Sequence, residues 1–378
     1  MRSWNSFLKV GILLAILFLS LGSVFAGTKT ANASGNWSTG AIWTPAGVPG
    51  NNDDVVIPSG ITVTLNANTV NMRSLTVNAG GTFQGDGTGK TFLYGRGGGE
   101  DFHIDGTLDA AGAHAMTIRL NRSSQWTGTG SVNLSILDID TRTLTFVAGT
   151  TMNVHLKGAG SPIIGSGTIT PLTTITFTFD GTSAQQLSSL TTVVYHNLVI
   201  DNPAGVTTQV NLTSSNMQGD LTIAPGATLS TSSGNNVNSI AGTAGHTLSV
   251  GAGATLRLGS GVASATAFPT GFSAFTLDQA STVNYANSSS GNQTVSTSPT
   301  YGNLTLSGSG TKILPNGTVT VLGDWTNNST GTLTVNGGNT VSFGAAASGA
   351  RSIGGTTATA FQNLTIANAS GVSLNLNA

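Results

Sequence analysis

The sequence is poor in charge: Asp, Glu, Lys and Arg together make up 7% of its 378 residues, against roughly 25% in ordinary globular proteins. Glu100 is the single glutamate, and there are five lysines. Glu and Lys favour helices, whereas the abundant Thr and Val favour strands. The chain is still 38% hydrophobic, which excludes a disordered chain. We therefore predict a folded protein that is almost entirely β.

Cysteine is absent, and basic residues are few. Without cysteine the chain has no disulfide framework, although such frameworks are common in secreted domains. Once Arg2 and Lys9 are removed, 11 basic residues face 14 acidic ones. Nucleic-acid binding depends on many cationic contacts to phosphate, so we expect no nucleic-acid partner.

The N-terminus is typical of a secretory signal peptide. Arg2 and Lys9 supply positive charge, the segment 10–21 is apolar, and small residues precede Gly27. A membrane-spanning helix needs about 20 apolar residues, although an uncleaved anchor is the alternative. We therefore predict cleavage after Ala26, a secreted or cell-surface location, and no membrane span in the mature protein.

Short runs in which Leu or Val alternates with Thr or Ser recur along the chain, as in GITVTL, SLTVNAGGTF and DLTIAPGATL. A period of two indicates strands with one buried face. Self-similarity every 20 to 50 residues indicates a solenoid, a propeller or an array. We predict a right-handed parallel β-helix (β-solenoid), whose stacked rungs share one core. Tandem β-sandwich domains are the alternative.

One phrase, an aromatic residue followed by x-Asn-Leu, occurs three times. Its copies are Tyr195, Asn197 and Leu198; Tyr301, Asn303 and Leu304; and Phe361, Asn363 and Leu364. Asn tolerates corner conformations. The phrase therefore predicts one corner and one strand per long repeat, with the three leucines pointing inward from equivalent strands.

Residues 34–83 resemble the start of large secreted bacterial β-helix proteins: a Trp pair precedes a Gly-Val-Pro turn, an Asp-Asp-Val-Val-Ile strand and a Leu-Thr-Val rung. The Tyr-x-Asn-Leu-Thr-Leu repeats are similar to those of surface proteins exported by the type nine secretion route. The resemblance implies an adhesin-like surface protein. Such proteins generally end in a sorting domain, and this chain stops partway through a repeat. We therefore expect a truncated C-terminus and end-to-end self-association near residues 363–378.

These signals divide the chain into four predicted parts. They are a signal peptide (1–26), an N-terminal cap (27–60), β-helix rungs with a charged loop inserted near 96–122 (61–190), and rungs that carry the Asn-Leu repeats (191–378).

Two aromatic and two acidic residues near the N-terminus are binding candidates. Trp37 and Trp43 could stack on a sugar ring or close the end of the solenoid. Asp53 and Asp54 offer the oxygen ligands that calcium prefers, but neighbouring strand residues point to opposite faces, which favours turn capping by one of them. We expect no other cofactor and no other metal.

The segment 96–122 concentrates the charge of the chain, and it holds the candidate catalytic residues. These are Glu100, Asp101, His103, Asp105 and Asp109. Enzymes that cleave polysaccharides commonly use paired carboxylates, and His103 and Asp105 share a strand face because they are two residues apart. A solvated loop between rungs is the alternative.

The sequence therefore favours a secreted or cell-surface structural protein, adhesin-like, that binds glycans or partner surfaces through an extended solenoid face. The alternative is a carbohydrate-active enzyme, a polysaccharide lyase or hydrolase, that uses the segment 96–122. A binder of an ordered surface such as ice is a third hypothesis, but the outward Thr rows are too irregular to favour it.

Overall fold

The computed structural model of the protein describes residues 27–69, 71–95, 100–233, 236–259, 266–289 and 291–376. The predicted signal peptide lies outside the described residues. The described chain contains 41 strands and two short 3-10 helices, Gly40–Ile42 and Gly112–His114.

The strands are numbered in chain order. Up to residue 138 they are β1 (Thr28–Ala31), β2 (Gly35–Asn36), β3 (Trp43–Thr44), β4 (Asp54–Ile57), β5 (Thr62–Leu65), β6 (Ser74–Val77), β7 (Thr82–Gly85), β8 (Lys90–Tyr94), β9 (Glu100–Ile104), β10 (Thr107–Ala110), β11 (Met116–Leu120), β12 (Ser124–Thr127), β13 (Ser131–Leu134) and β14 (Ile136–Asp138). The middle of the chain contains β15 (Thr143–Phe146), β16 (Met152–Leu156), β17 (Ile163–Ile164), β18 (Thr168–Thr170), β19 (Ile175–Phe179), β20 (Gln185–Gln186), β21 (Asn197–Ile200), β22 (Val206–Thr207), β23 (Leu221–Ile223), β24 (Thr228–Ser230), β25 (Ser232–Ser233), β26 (Asn236–Val237), β27 (Thr247–Val250) and β28 (Thr255–Leu258). The last part contains β29 (Ala274–Leu277), β30 (Thr282–Tyr285), β31 (Gln293–Thr294), β32 (Thr300–Tyr301), β33 (Asn303–Gly308), β34 (Lys312–Leu314), β35 (Gly317–Val321), β36 (Trp325–Ser329), β37 (Leu333–Val335), β38 (Asn339–Phe343), β39 (Arg351–Gly355), β40 (Asn363–Ile366) and β41 (Val372–Leu376).

The strands form a β-solenoid of about 14 turns, which confirms the predicted fold class. Each strand pairs in parallel with its counterpart in the next rung; for example, β10 lies between β7 and β13. The pairs β1–β3 and β25–β26 are antiparallel. The alternative of tandem β-sandwiches is wrong, because sandwiches are built from antiparallel sheets.

Six sheets run along the solenoid. Sheet 1 has the order β18-β15-β12-β9-β6-β4-β1-β3, sheet 2 has β2-β5-β7-β10-β13-β16-β19-β21-β23-β27-β29, sheet 3 has β17-β14-β11-β8, sheet 4 has β20-β22-β24-β28-β30-β33-β36-β39-β41, sheet 5 has β31-β34-β37, and sheet 6 has β32-β35-β38-β40. Sheets 1 to 3 enclose the first half, and sheets 4 to 6 enclose the end of the described chain.

The alternating pattern of the sequence produces the core. In β10, Leu108 and Ala110 are buried while Thr107 and Asp109 are partly exposed. The parallel register then places apolar residues of successive rungs next to one another. Leu108 lies between Phe83 and Val132, and none of the three has exposed surface. A single rung cannot bury its own apolar face, and the stack of rungs supplies the core.

The described part of the charged segment, residues 100–122, forms regular strands and corners and not an inserted loop. Its strands β9, β10 and β11 belong to sheets 1, 2 and 3, so together they make one ordinary rung. Most charged residues of the described part lie at outward positions of regular strands, as Asp109 and Arg119 do, or at corners, and Asp101 is the buried exception. Buried positions such as Leu108 and Ile118 keep the apolar pattern.

The Asn-Leu phrase occurs in three different sheets. Leu198 and Leu304 have no exposed surface, which confirms them as core residues, whereas Leu364 is 42% exposed, so the prediction for that copy is wrong. The strands β21, β33 and β40 that contain them belong to sheets 2, 4 and 6. The three strands are therefore not equivalent.

The three asparagines nevertheless make the same kind of hydrogen bond. Nδ2 of Asn197 donates to the carbonyl of Thr173 at 3.1 Å, Nδ2 of Asn303 donates to Ala280 at 3.3 Å, and Nδ2 of Asn363 donates to Asn339 at 2.9 Å. Each partner lies 23 or 24 residues earlier, which is one rung. The Asn of the phrase therefore ties the start of a strand to the backbone of the preceding rung.

The last described rung presents apolar side chains to solvent. Leu364, Ile366 and Leu374 are 42%, 46% and 67% exposed, and all three lie on the terminal strands β40 and β41. Unpaired strand edges with apolar side chains favour further strand pairing. End-to-end self-association stays a prediction.

Candidate functional site

Two adjoining depressions lie where sheet 3 turns into sheet 1. One, of about 660 Å³, is lined by Asn121, Arg122, Ser123 and Arg142, and the other, of about 170 Å³, is lined by Ser123, Ser124, Gln125, Thr143 and Thr145. They share Ser123, and we call them together the corner groove. Its lining is polar and comes from two successive rungs.

Stacking of the rungs sets two arginines side by side. The backbone N–H of Thr143 donates to Ser123 Oγ at 3.2 Å, so Arg122 and Arg142 occupy the same corner position in neighbouring rungs. Neighbouring strands are about 4.8 Å apart. The guanidinium groups of the two residues can therefore reach one ligand.

Glycines stack above and below this arginine pair. Gly95 lies against Arg122, where a Cβ would be 3.4 Å from the Arg122 nitrogen, and Gly167 lies against Arg142, where a Cβ would be 2.0 Å from the Arg142 carbonyl oxygen. The close backbone approach at Gly167 admits only glycine. At these two positions, Gly95 and Gly167 place no side chain over the arginine pair.

The nearby carboxylates leave the arginine pair largely unneutralised. Asp138 pairs with Arg119, at 3.4 Å from its Nε. Asp140 approaches Arg142 only to 3.9 Å, and Arg142 Nε is buried without a hydrogen-bond partner in the described part of the chain. Arg122 is exposed. A guanidinium remains protonated at every physiological pH, so the corner groove carries local positive charge.

Asp101 lies beneath the floor of the corner groove. Gln125 pairs with Glu100 and Trp126 pairs with Phe102, so Asp101 is the extra residue of a β-bulge. It is 3% exposed, and burial raises the pKa of its carboxyl to about 6, with partial relief from the Gln125 backbone N–H. The side chain of Glu100 lies outside the described part of the structure.

The buried carboxyl predicts an unusual pH dependence of stability. Its folded pKa of about 6 lies above the ordinary value of 3.8, so the stability it contributes is full below pH 4 and is lost as pH rises through 6. The loss is on the order of 3 kcal/mol at about 1.4 kcal/mol per pKa unit. We expect Asp101→Asn to unfold at a higher denaturant concentration than the parent at pH 7, with the gain shrinking towards pH 4.

Asp105→Asn is the matched control for Asp101→Asn. The hydrogen bond from His103 holds the pKa of Asp105 below its ordinary value, so the stability from Asp105 is present at neutral pH and lost as pH falls. Its replacement should therefore cost stability at pH 7. A gain for Asp101→Asn that is the same at pH 4 and pH 7 would contradict the role of burial.

Of the other candidate catalytic residues, the structure brings His103 and Asp105 together and places Asp109 elsewhere. His103 Nε2 and Asp105 Oδ2 are 2.8 Å apart, and Asp105 Oδ1 also accepts from the Thr129 backbone N–H at 3.0 Å. Asp109 lies on sheet 2, on another side of the solenoid. Asp101 is inside. Glycoside hydrolysis needs two carboxyl groups that face one substrate, and the described candidates do not form such a pair.

A cluster that the sequence did not reveal joins His155, Lys157 and Asp180. Asp180 Oδ2 lies 2.8 Å from His155 Nδ1 and 2.6 Å from Lys157 Nζ. Burial raises the pKa of Asp180, but the hydrogen bonds and positive charges of its two partners outweigh burial and hold the pKa below its ordinary value. The 25-residue separation of His155 and Asp180 matches one rung, which is the only signal for this pair in the sequence. The ion pairs of this cluster link two neighbouring rungs.

The two N-terminal tryptophans that were candidates for sugar binding lie in the core. Trp37 and Trp43 are 2% and 1% exposed, with ring centroids 5.1 Å apart in the core. Neither ring offers a face to a sugar in this arrangement, so we place neither in the binding site. Their segment contributes strands to sheets 1 and 2, and its role as a cap stays a prediction.

Asp53 and Asp54 also have partners in the structure. The backbone N–H groups of Gly27 and Gly50 donate to Asp53, at 3.0 and 2.7 Å, which confirms the prediction that one of the two caps a turn. Asp54 accepts from Arg73 Nε at 2.6 Å. Within the described ranges, no group of three or more His, Asp or Glu side chains could hold a metal ion.

Comparisons of the chain with protein-family models, with curated proteins and with solved structures gave no match. Neither described helix is long and apolar enough to cross a membrane. The fold and the corner groove are therefore the grounds for a functional assignment.

Proposed function

We propose that this protein is a secreted or cell-surface structural protein that binds polysaccharide along its solenoid surface, in the manner of an adhesin. The observation that carries the proposal is the corner groove, an open polar depression built from two successive rungs. Polysaccharides present repeated hydroxyl groups, and the amide and hydroxyl groups of Gln125, Thr143 and Thr145 can exchange hydrogen bonds with them.

Binding without turnover fits the corner groove better than catalysis does. The groove lining is rich in donors and in residues that cannot transfer a proton at neutral pH. Of the described carboxyl groups near it, Asp140 lies beside Arg142 and Asp101 is only 3% exposed, whereas a general acid or base must reach the proton it transfers within about 3 Å. The enzyme hypothesis therefore lacks an exposed pair of carboxyl groups in the described site.

Retention of the purified protein on immobilised polysaccharides tests the proposal. We expect retention with no release of reducing ends or shortened chains. The double variant Gln125→Ala/Thr145→Ala should bind about 30-fold more weakly, since each of the two lost hydrogen bonds contributes about 1 kcal/mol. Thr222→Ala, an outward position on sheet 2, is the control and should bind like the parent.

Two results would count against this function. Release of shortened chains would favour the enzyme, and a protein that no polysaccharide retains would exclude the binder. The panel should include neutral and acidic polysaccharides, because the sequence names no sugar.

A further inference from the structure

We infer that the corner groove recognises acidic polysaccharides, through paired contacts from Arg122 and Arg142 to a carboxylate or sulfate group. This inference rests on the proposed polysaccharide-binding function and specifies its ligand class. It assigns the two arginines as the residues that distinguish a charged sugar from a neutral one.

The planar guanidinium group fits this task. It presents its N–H donors in a fixed fork that matches two oxygens of a carboxylate or sulfate. Arg122 and Arg142 lie one rung apart, which the hydrogen bond from Thr143 to Ser123 fixes. Two forks at this spacing can hold one oxyanion between them or two oxyanions on neighbouring sugars.

Arg122 has no described internal partner, and Arg142 has only one long contact, with Asp140 at 3.9 Å. Most other cations near sheets 1 to 3 have one: Arg73 pairs with Asp54, Arg119 with Asp138, and Lys157 with Asp180. Among the side chains that the structure describes, which do not include Glu100, no carboxylate lies within salt-bridge distance of Arg122. Asp140 Oδ2 lies 3.9 Å from Arg142 Nε. The corner groove therefore presents positive charge that the fold itself does not use.

The net charge of the whole chain is negative, so the positive charge of the corner groove is a local exception. The predicted mature chain has more acidic than basic residues, so it has no general attraction for polyanions. Binding of an acidic polysaccharide would have to come from a local concentration of positive charge. The corner groove supplies it with two arginines, the donors of Asn121 and Ser123, and an opening of about 660 Å³.

Two matched pairs of polymers test the inference: polygalacturonate against its methyl ester, and dextran sulfate against dextran. We expect the parent protein to bind at least one acidic polymer about tenfold or more tightly than its neutral counterpart, since a hydrogen bond to a charged group contributes about 1.5–3 kcal/mol. Preference for polygalacturonate alone identifies a carboxylate ligand, and preference for dextran sulfate alone identifies a sulfate ligand. Either outcome, or both, supports the inference.

Variants then locate the site. Arg122→Gln and Arg142→Gln should each abolish most of the preference for the acidic polymer. Arg122→Lys should retain part of this preference, because lysine keeps the charge but loses the forked donor geometry of the guanidinium. Arg257→Gln removes an exposed arginine of sheet 4 and serves as the control for net charge. Arg122 is exposed, so the fold of its variants should be intact, with unchanged thermal unfolding.

The possible outcomes distinguish failure of this inference from failure of the proposed polysaccharide-binding function. Equal binding of charged and neutral polymers would overturn the inference and keep the proposed function. No retention of any polymer would overturn both. Equal losses in Arg122→Gln and Arg257→Gln, with polyphosphate bound as tightly as the acidic polymers, would show general electrostatic attraction and would also overturn the inference.

Discussion

Leu304→Ala is expected to lower the free energy of unfolding by about 2–5 kcal/mol, whereas Leu364→Ala should change it by less than about 0.5 kcal/mol. The two leucines occupy the same place in the Asn-Leu phrase but differ in burial, at 0% and 42% exposed. Leu304 stacks between Val283 and Trp325 in the core of sheet 4. Truncation there leaves a cavity between two rungs, and truncation of Leu364 leaves none.

Thr305→Ala is the internal control for Leu304→Ala, because Thr305 is the next residue of β33 and points outward. Guanidinium unfolding measures the three free energies, and amide exchange along β33 shows whether the loss is local. Similar small effects at Leu304 and Thr305 would contradict the inward and outward assignment of this strand.

The second large effect concerns Lys312, a fully buried cation. Its Nζ donates to the carbonyl oxygens of Asn287 and Gly310, at 2.9 and 2.8 Å, and no carboxylate pairs with it among the described residues. Burial lowers the pKa of Lys312 from 10.5 to about 8. The folded state therefore releases this proton before the unfolded state does.

The sign of the resulting pH dependence follows from linkage. Between pH 8 and pH 10.5 the unfolded chain holds a proton that the folded chain has released, so stability rises with pH in this window. The rise approaches about 3 kcal/mol, at about 1.4 kcal/mol per pKa unit. Lys312→Met should remove this rise, and the difference between parent and variant in urea unfolding at pH 8 and pH 10 measures it.

Buried tyrosines limit the window for this measurement. Burial raises the pKa values of Tyr94, Tyr195, Tyr285 and Tyr301, so the folded state keeps these protons when the unfolded state loses them, and stability falls above about pH 10. The tyrosines are common to parent and variant, and the subtraction removes them. A flat difference between pH 8 and pH 10 would show that the amine of Lys312 titrates normally.

The fold was predictable because period-two alternation and regular turn residues act locally in every rung. The equivalence of the Asn-Leu strands was not predictable. A rung has several corners, and the bridge that Asn197, Asn303 and Asn363 make to the preceding rung can start a strand at any of them. The Asn-Leu phrase therefore predicts a local hydrogen bond and the start of a strand. The length of each rung determines to which sheet that strand belongs.

The sequence did not predict the corner groove, and the candidate catalytic residues do not line it. The charge concentration drew attention to the segment up to Arg122, and Arg122 does line the corner groove. Its partner Arg142 comes from the next rung, and the bulge that buries Asp101 depends on the register of Gln125. Rungs vary in length by several residues, so neither the cross-rung pairing nor the bulge could be read from spacing alone.

The parallel pairing of each rung with the next has a consequence for how fast the chain folds. Leu108 pairs with Val132, 24 residues later in a chain of 378. Contacts between neighbouring rungs therefore have a relative sequence separation of about 0.06, just below the contact orders of helical bundles and well below those of most all-β proteins. Loop closure for one rung costs the same wherever the rung lies, and a formed rung is the template for its successor. The chain can therefore fold as it emerges, in order from its N-terminal end, without waiting for distant residues.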